Sequence, residues 1–285
     1  MISDKILNGI NGNPNIPGDK SISHRAIIIP SISRGTSEIV NILKSEDVLH
    51  TLDAFRKMGV KIQEYENKLI IHGKGLNSLK KPKGEIYLGN SGTSARLLTG
   101  LLASQKFDTI IKGDNSLSKR PMERIINPLM KMEAEIQSSN GNMPLKIKGK
   151  NLKNKNLEIT LPSAQIKSGL ILASLNTHGE THITENKITR NHTELMLDYF
   201  GASINVSKKL NKKIIKIKGQ KELLSKNISV PSDLSSSAFF IIAALINDNS
   251  HILLKNININ PTRNGILIAL EKMGAKIILK NLREI

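Results

Sequence analysis

The chain has 285 residues, of which 39% are hydrophobic and 23% are charged, a composition typical of a soluble globular protein with about two domains. It contains no cysteine, which excludes a disulfide scaffold, a thiolate nucleophile and any cysteine-ligated metal site. The formal net charge of +18 indicates an anionic substrate or partner. Aromatic residues make up only 3%, so stacking surfaces for nucleic acid are scarce and we expect no nucleic-acid partner.

The apolar segments of the chain indicate neither targeting nor membrane insertion. The N-terminal segment carries Asp4 and Lys5 and lacks the apolar run of a signal peptide. Residues 237–246 form the longest nearly apolar stretch, about half the length of a membrane span, and predict a core helix. We therefore expect a cytoplasmic protein with no membrane partner.

An internal repeat organises the chain. Four segments share an amphipathic helix, a corner residue and a strand, and their corners, Gly59, Glu133, Gly201 and Gly274, recur about every seventy residues. Glycine at three of these corners predicts the positive φ that helix C-termini commonly need. Alternating apolar residues beyond the corners predict half-buried strands, so each unit is β-α-β-α-β-β and the fold class is α/β.

The fourth unit is shorter than the others. After its corner the sequence predicts one strand, over residues 275–279, and no closing strand. Either the unit is truncated or it is a shortened unit that caps the fold. The unit count predicts residues 1–19 as the N-terminal strand of an incomplete domain, 20–224 as a complete three-unit domain, and 225–285 as the first unit of the second domain.

Each unit opens with a short strand, a small polar loop and an apolar helix. Such a junction presents unpaired backbone N–H groups and the positive end of the helix dipole, which favour phosphate or carboxylate. The four loops read PGDKSISHR, LGNSGTSAR, LPSAQIKSG and VPSDLSSSA. Simple N-capping explains any one of them taken alone.

Three of these loops carry more polar side chains than a cap needs. The first places Lys20 and Arg25 within about one and a half helical turns of each other. The second contains Gly92, which permits a close backbone approach to a ligand, and a later loop adds Arg120. If the units surround a common axis, the loops meet at one end and form a site for a small ligand with more than one anionic group.

The loops also carry a resemblance to a known family. GDKSISHRA, LGNSGTSARLL, GDNSLSKRPM, LPSAQIKSGL and TRNHTE, in this order, resemble the 3-phosphoshikimate 1-carboxyvinyltransferases, the 5-enolpyruvylshikimate-3-phosphate synthases of the shikimate pathway. The resemblance covers essentially the whole chain. It implies an inside-out α/β barrel of the enolpyruvyl transferase type, built from repeated βαβαββ units, with one complete three-unit domain plus part of a second.

The resemblance implies an activity in chorismate and aromatic amino acid biosynthesis. The enolpyruvyl group of phosphoenolpyruvate is transferred to the 5-hydroxyl of shikimate 3-phosphate, with release of phosphate and without a metal or another cofactor. A full-length family member is expected to be a monomer. Both substrates are anionic, and arginine and lysine suit the charge that builds up in the intermediate.

Position by position, the resemblance implies binding roles for the loop residues. For shikimate 3-phosphate it implies Lys20, Ser21, Arg25, Ser163, Ala164, Gln165, Thr189 and Arg190. For phosphoenolpyruvate it implies Lys20, Asn90, Gly92, Arg120 and Gln165.

The catalytic acid and base stay unassigned, because the resemblance implies that the family's acid–base carboxylates are expected beyond Ile285. Glu46, Asp47 and Asp233 are interpreted as solvated carboxylates at helix N-termini. We expect the 285-residue chain alone to bind shikimate 3-phosphate weakly and to turn over little or nothing. The alternative functions are a catalytically weak or inactive anion-binding fragment, a related transferase acting on a UDP-sugar, and a nucleic-acid-binding protein that keeps the scaffold.

Overall fold

The computed structural model describes residues 9–210 and 212–283. The helices are α1 (Lys20–Ser31), α2 (Glu46–Lys57), α3 (Gly92–Ala103), α4 (Asn115–Ser118), α5 (Glu123–Lys131), α6 (Ala164–Ser174), α7 (His192–Tyr199), α8 (Leu234–Leu245) and α9 (Gly265–Lys272). The strands are β1 (Asn11–Gly12), β2 (Arg34–Val40), β3 (Lys61–Glu64), β4 (Lys68–Lys74), β5 (Ile86–Tyr87), β6 (Thr109–Lys112), β7 (Glu135–Ser139), β8 (Asn142–Lys148), β9 (Asn156–Ile159), β10 (Glu180–Glu185), β11 (Ser203–Lys209), β12 (Lys212–Lys218), β13 (Ile228–Ser229) and β14 (His251–Ile252). Asp4 and Lys5, and with them the first part of the predicted N-terminal segment 1–19, lie outside the described residues.

The chain divides into two compact units. The larger unit spans Lys20–Val230, and the smaller one combines the segment that ends at Asp19 with the segment that begins at Pro231. The larger unit includes β13 because this strand pairs in parallel with β2, with Ile228 opposite Ile39. The sheet of the first repeat therefore takes one strand from the chain that follows the third repeat.

Three four-stranded sheets in the larger unit repeat one topology. The strand orders are β13-β2-β4-β3, β5-β6-β8-β7 and β9-β10-β12-β11. In each sheet the first two strands are parallel, and the remaining strands are antiparallel to their neighbours. The α/β repeat predicted from the sequence is confirmed.

The helices that open the repeats lie inside the larger unit. α1, α3 and α6 are buried along nearly their whole length, and Ile27, Leu98 and Ile171 are fully buried within them. The sheets instead bury alternate side chains: in β8, Leu145 is buried while Lys146 is exposed. Helices inside and sheets outside are the arrangement that the inside-out barrel class implies.

The corner residues adopt the predicted backbone conformation. φ is 82° at Gly59, 85° at Gly201 and 91° at Gly274. Glu133 takes the same left-handed conformation, with φ of 66°, although it carries a side chain. The repeat thus imposes its corner geometry even where glycine is absent.

The smaller unit departs from two sequence expectations. α8 contains the predicted apolar helix, but Phe239 is 79% exposed and Ile246, just beyond the helix, is 76% exposed, because no described element covers them. The strand predicted over residues 275–279 is wrong, since this segment has no paired strand among the described residues. Across the described parts of the chain, no helix combines the length and apolarity required to cross a membrane.

Candidate functional site

Several helix N-termini of the larger unit open onto one cavity of about 380 Å³. Its walls come from the starts of α1, α2, α3, α6 and α7, and from the loop before α5. The lining residues are Lys20, Ser21, Arg25, Asp47, Asn90, Gly92, Thr93, Arg120, Ala164, Gln165, Arg190 and His192. Lysine and arginine dominate the charged lining, and the helix dipoles add positive potential, so the cavity suits an anion.

Lys20, at the start of α1, forms an ion pair with Asp47 in the first turn of α2. Asp47 lines the cavity and its side chain is 21% exposed, so this terminal carboxylate is partly exposed and also ion-paired. The packing of α2 beside α1 brings the two side chains together. Glu46, its neighbour, is exposed as expected. Asp233 accepts hydrogen bonds from the first backbone N–H groups of α8, but it is buried rather than solvated.

Arg25 joins the first and third repeats beside the cavity. Its Nε donates to Thr193 Oγ1 over 2.6 Å, and its Nη2 donates to Ser168 Oγ over 2.7 Å. Its Nη1 donates to the backbone oxygen of Ser21 over 2.6 Å. The residue is only 4% exposed, so these bonds hold a buried guanidinium in one orientation at the cavity wall.

Arg190 reaches the first repeat from the turn before α7. Its Nη1 donates to Ser21 Oγ over 3.1 Å, and both residues line the cavity. Thr189 is not part of the lining, because its hydroxyl donates to the carboxylate of Glu185. Ser163 does not line the cavity either. It is the N-cap of α6, and its Oγ accepts from a backbone N–H.

The second repeat supplies a separate cationic wall. Arg120 donates to the side-chain oxygen of Asn90, and both residues face the cavity. A Cβ on Gly92 would lie 2.9 Å from Arg96 Nη1 and 3.0 Å from Arg120 Nη1, so glycine leaves room for the guanidinium groups. Burial, together with the charges of Arg120 and Arg124, lowers the pKa of Arg96 below its usual value.

Gln165 connects this wall to the third repeat. Its Nε2 donates to Thr93 Oγ1 over 3.0 Å, and Ala164 lies beside it at the start of α6. The structure therefore brings the expected residues of all three repeats to one cavity, with the exception of Ser163 and Thr189.

A series of buried polar side chains, linked by hydrogen bonds, lies next to the cavity. His24 Nδ1 lies 2.8 Å from Thr51 Oγ1, Thr51 Oγ1 lies 2.6 Å from Ser94 Oγ, and Ser94 Oγ lies 2.6 Å from Ser91 Oγ. Burial lowers the pKa of His24 to about 3, so its ring is neutral at pH 7. These bonds join α1, α2 and α3.

Sequence reasoning assigned no binding role to Thr93, His192 or Asp47, all of which line the cavity. Thr93 and His192 are contained in the polar loops that the motifs identify, so their position in those loops was the available signal. Asp47 had no such signal, because its role depends on how two helices pack. In the described residues no group of three or more His, Asp or Glu side chains is placed to hold a metal ion.

Buried helices, outer sheets and a cationic cavity at converging helix N-termini are the features of an α/β protein of the inside-out barrel class. The family model for EPSP synthase (3-phosphoshikimate 1-carboxyvinyltransferase) matches residues 5–285, and the chain belongs to this family. The resemblance carried by the loop motifs is confirmed.

Known proteins match along nearly the whole chain. A 3-phosphoshikimate 1-carboxyvinyltransferase from Ruthia magnifica subsp. Calyptogena magnifica is 50% identical over 282 residues, which are 99% of this chain and 64% of that protein. One from Streptococcus agalactiae serotype Ia is 49% identical, over 96% of this chain and 64% of its own length. The solved EPSP synthase from Acinetobacter baumannii matches with a TM-score of 0.90 and 46% identity, over 97% of this chain and 62% of that one. The chain thus spans 64% of the length of these curated relatives.

Proposed function

We propose that this protein transfers the enolpyruvyl group of phosphoenolpyruvate to the 5-hydroxyl of shikimate 3-phosphate and releases inorganic phosphate. The cavity of the larger unit holds both substrates. The observation that carries the proposal is the convergence of Lys20, Arg25, Arg120 and Arg190 on a single cavity at several helix starts. Family membership supports the reaction, because the matching relatives are named for this transfer.

The charge of the cavity suits the proposed ligands. Each substrate carries a phosphate group and a carboxylate, so two bound substrates bring several negative charges into one small volume. Lysine, arginine and backbone N–H groups at helix starts offset these charges with charge-assisted hydrogen bonds. Asp47 is the single carboxylate among the cavity-lining residues, and its ion pair with Lys20 limits its repulsion of the ligands.

Shikimate 3-phosphate lies, in this proposal, between the first and third repeats. Arg25 and Arg190 bind its anionic groups, and both are already oriented by bonds to Ser21. Ala164 and Gln165 add the start of α6. Ser163 does not line the cavity, and in this proposal its capping bond holds the start of α6 in place for the ligand.

Thr189 does not touch the ligand in this proposal. Its hydroxyl donates to Glu185 and so fixes the turn that carries Arg190.

Phosphoenolpyruvate lies against the second repeat. Arg120, oriented by Asn90, binds its phosphate or carboxylate, and Gly92 permits a close approach of the backbone. Lys20 and Gln165 lie between the two substrates. Fixed positive charge at this place stabilises the negative charge that develops as phosphate leaves. The proton donor for the methylene carbon and the base for the 5-hydroxyl stay unassigned.

Calorimetric titration of the chain with shikimate 3-phosphate tests the proposal. We expect saturable binding to the wild-type chain, and a loss of affinity of about tenfold or more in Arg190→Ala, because one charge-assisted contact is removed. Arg34→Ala is the matched control, since Arg34 is an exposed arginine of the same unit whose partner is Glu222 on the surface. Its affinity should equal that of the wild type.

Shikimate, which lacks the phosphate, should bind much more weakly than shikimate 3-phosphate. Equal affinities for the two ligands, or no binding by a chain whose circular dichroism shows that it is folded, would contradict the proposal. Phosphate release in the presence of both substrates tests turnover separately. Binding without turnover would favour the inactive anion-binding alternative for this chain. The monomeric state, the lack of a nucleic-acid partner and the cytoplasmic location stay predictions.

A further inference from the structure

A cluster of buried charges lies behind the turn that carries Arg190. Lys167 of α6 is fully buried, and its Nζ lies 2.9 Å from Glu185 Oε2 and 2.8 Å from Glu194 Oε1. Lys213 lies at the other side of the cluster, with its Nζ 3.1 Å from Glu194 Oε1. Two cations and two carboxylates thus balance one another, and all four side chains are buried.

Stability alone does not account for such a cluster. Transfer of charges out of water is costly, and well-packed apolar residues of similar volume are often as stable or more stable. Ion pairs with fixed hydrogen-bond geometry do, however, hold the segments that they join in one arrangement. The bonds from the cluster to neighbouring segments therefore indicate which segment the cluster holds in place.

Two residues of the cluster, Lys167 and Glu185, both bond to Thr189. Lys167 Nζ donates to the backbone oxygen of Thr189 over 3.3 Å, and the Thr189 hydroxyl donates to the carboxylate of Glu185. The turn is thus held through both its main chain and its side chain. The next residue, Arg190, extends to Ser21 and lines the cavity. No corresponding contact joins Lys213 to the turn within the described residues.

We infer that Lys167 is a positioning residue that holds the Thr189 turn, so that the Arg190 guanidinium faces the anionic group of the ligand in the cavity. Lys167 does not line the cavity, and its bond to the Thr189 carbonyl connects it to the turn. The inference rests on the proposed function for the identity of that ligand, shikimate 3-phosphate.

Lys167→Met and Lys213→Met form a matched pair for the test, because each removes one cation from the same buried cluster. Of these two lysines, Lys167 alone contacts the turn within the described residues. We expect Lys167→Met to lower the affinity for shikimate 3-phosphate about tenfold or more, whereas Lys213→Met should change it less than twofold. Thermal unfolding should shift downward in both variants, since both leave a carboxylate undercompensated. If Lys167→Met does not fold, Lys167→Met with Glu185→Gln restores the charge balance of the cluster.

A double-mutant cycle separates positioning from general destabilisation. In the Arg190→Ala background, the loss of Lys167 should cause no further loss of affinity, because the group that it positions is gone. Equal losses in the Lys167→Met and Lys213→Met variants would overturn the inference. An additive loss in the Arg190→Ala background would overturn it as well.

Hydrogen exchange of the unliganded chain distinguishes this inference from the proposed function. Backbone amides of residues 186–191 should exchange faster in the Lys167 variant than in the Lys213 variant, whichever ligand the cavity takes. Unchanged exchange would overturn the inference even if shikimate 3-phosphate binds. Absence of binding by the wild-type chain would overturn the proposed function, while faster exchange would still support the role of Lys167 in holding the turn.

Discussion

A Cβ on Gly100 would lie 1.9 Å from the carbonyl oxygen of Gly169, so α3 and α6 cross in direct backbone contact. Both helices begin at the cavity, where α3 contributes Gly92 and α6 contributes Ala164. The close crossing therefore fixes the distance between the walls of the second and third repeats.

Gly100→Ala should strongly destabilise the larger unit. The new methyl group meets a backbone oxygen that cannot rotate away, so the two helices must separate, at a cost of about 3 kcal/mol or more. Urea unfolding monitored by circular dichroism measures this loss. Gly265→Ala is the control, because a Cβ at this helical glycine meets nothing within 4 Å and φ there is not positive. If the two variants had equal free energies of unfolding, the direct backbone contact between α3 and α6 would be contradicted.

Gly92→Ala should alter ligand binding while leaving stability nearly unchanged. The added Cβ meets only the ends of two flexible side chains, Arg96 and Arg120, which can move. Movement of Arg120 removes a cation from its place beside Asn90, so the affinity for phosphoenolpyruvate should fall. Titration with phosphoenolpyruvate in the presence of shikimate 3-phosphate measures this effect. An unchanged affinity would mean that Arg120 does not bind this ligand.

The repeat made much of the fold predictable from the sequence. A unit that recurs along the chain must satisfy the same backbone constraints each time, so Gly59 and Gly274 correctly indicated the corner geometry. The same logic placed Lys20, Gly92 and Gln165 at equivalent helix starts, which in a repeated architecture lie near one another. Their convergence in the structure follows from this equivalence.

Features that depend on packing between distant segments were not predictable. The pairing of Lys20 with Asp47 requires the relative position of two helices, and the partners of Lys167 come from two other elements, β10 and α7. Hydropathy predicted α8, but the exposure of Phe239 depends on what packs against the helix. No local sequence pattern contains that information.

Arg25→Lys should weaken both folding and binding, although the charge is kept. Lysine carries its three N–H donors on one atom, so it cannot reach Thr193, Ser168 and the Ser21 carbonyl, which the guanidinium meets with three different nitrogens. Each lost bond to a charged group costs about 1.5–3 kcal/mol, partly offset by the new ammonium contacts. We expect a lower midpoint of urea unfolding and a lower affinity for shikimate 3-phosphate. Wild-type values for both quantities would show that neither folding nor binding needs the three hydrogen bonds of the guanidinium.

His24 should make the stability of the larger unit depend on pH. Burial lowers the pKa of His24 in the folded chain to about 3, from an ordinary value of 6.5. Between these two values the unfolded chain binds a proton that the folded chain does not bind. The free energy of unfolding therefore falls as the pH falls below 6.5, and above 6.5 this group has no effect.

We expect the free energy of unfolding to fall by about 2 kcal/mol between pH 7.5 and pH 5, because only the unfolded chain takes up the proton. Urea unfolding of the wild-type chain and of His24→Asn at several pH values measures it. Asparagine cannot take up this proton, and its amide can still bond to Thr51, so the variant should lose less stability than the wild type as the pH falls. Because all other titrating groups are shared, the difference between the two pH profiles reports His24 alone. Parallel profiles between pH 5 and pH 7.5 would mean that His24 becomes protonated within the folded chain, and that the polar chain from Thr51 to Ser91 tolerates a charge.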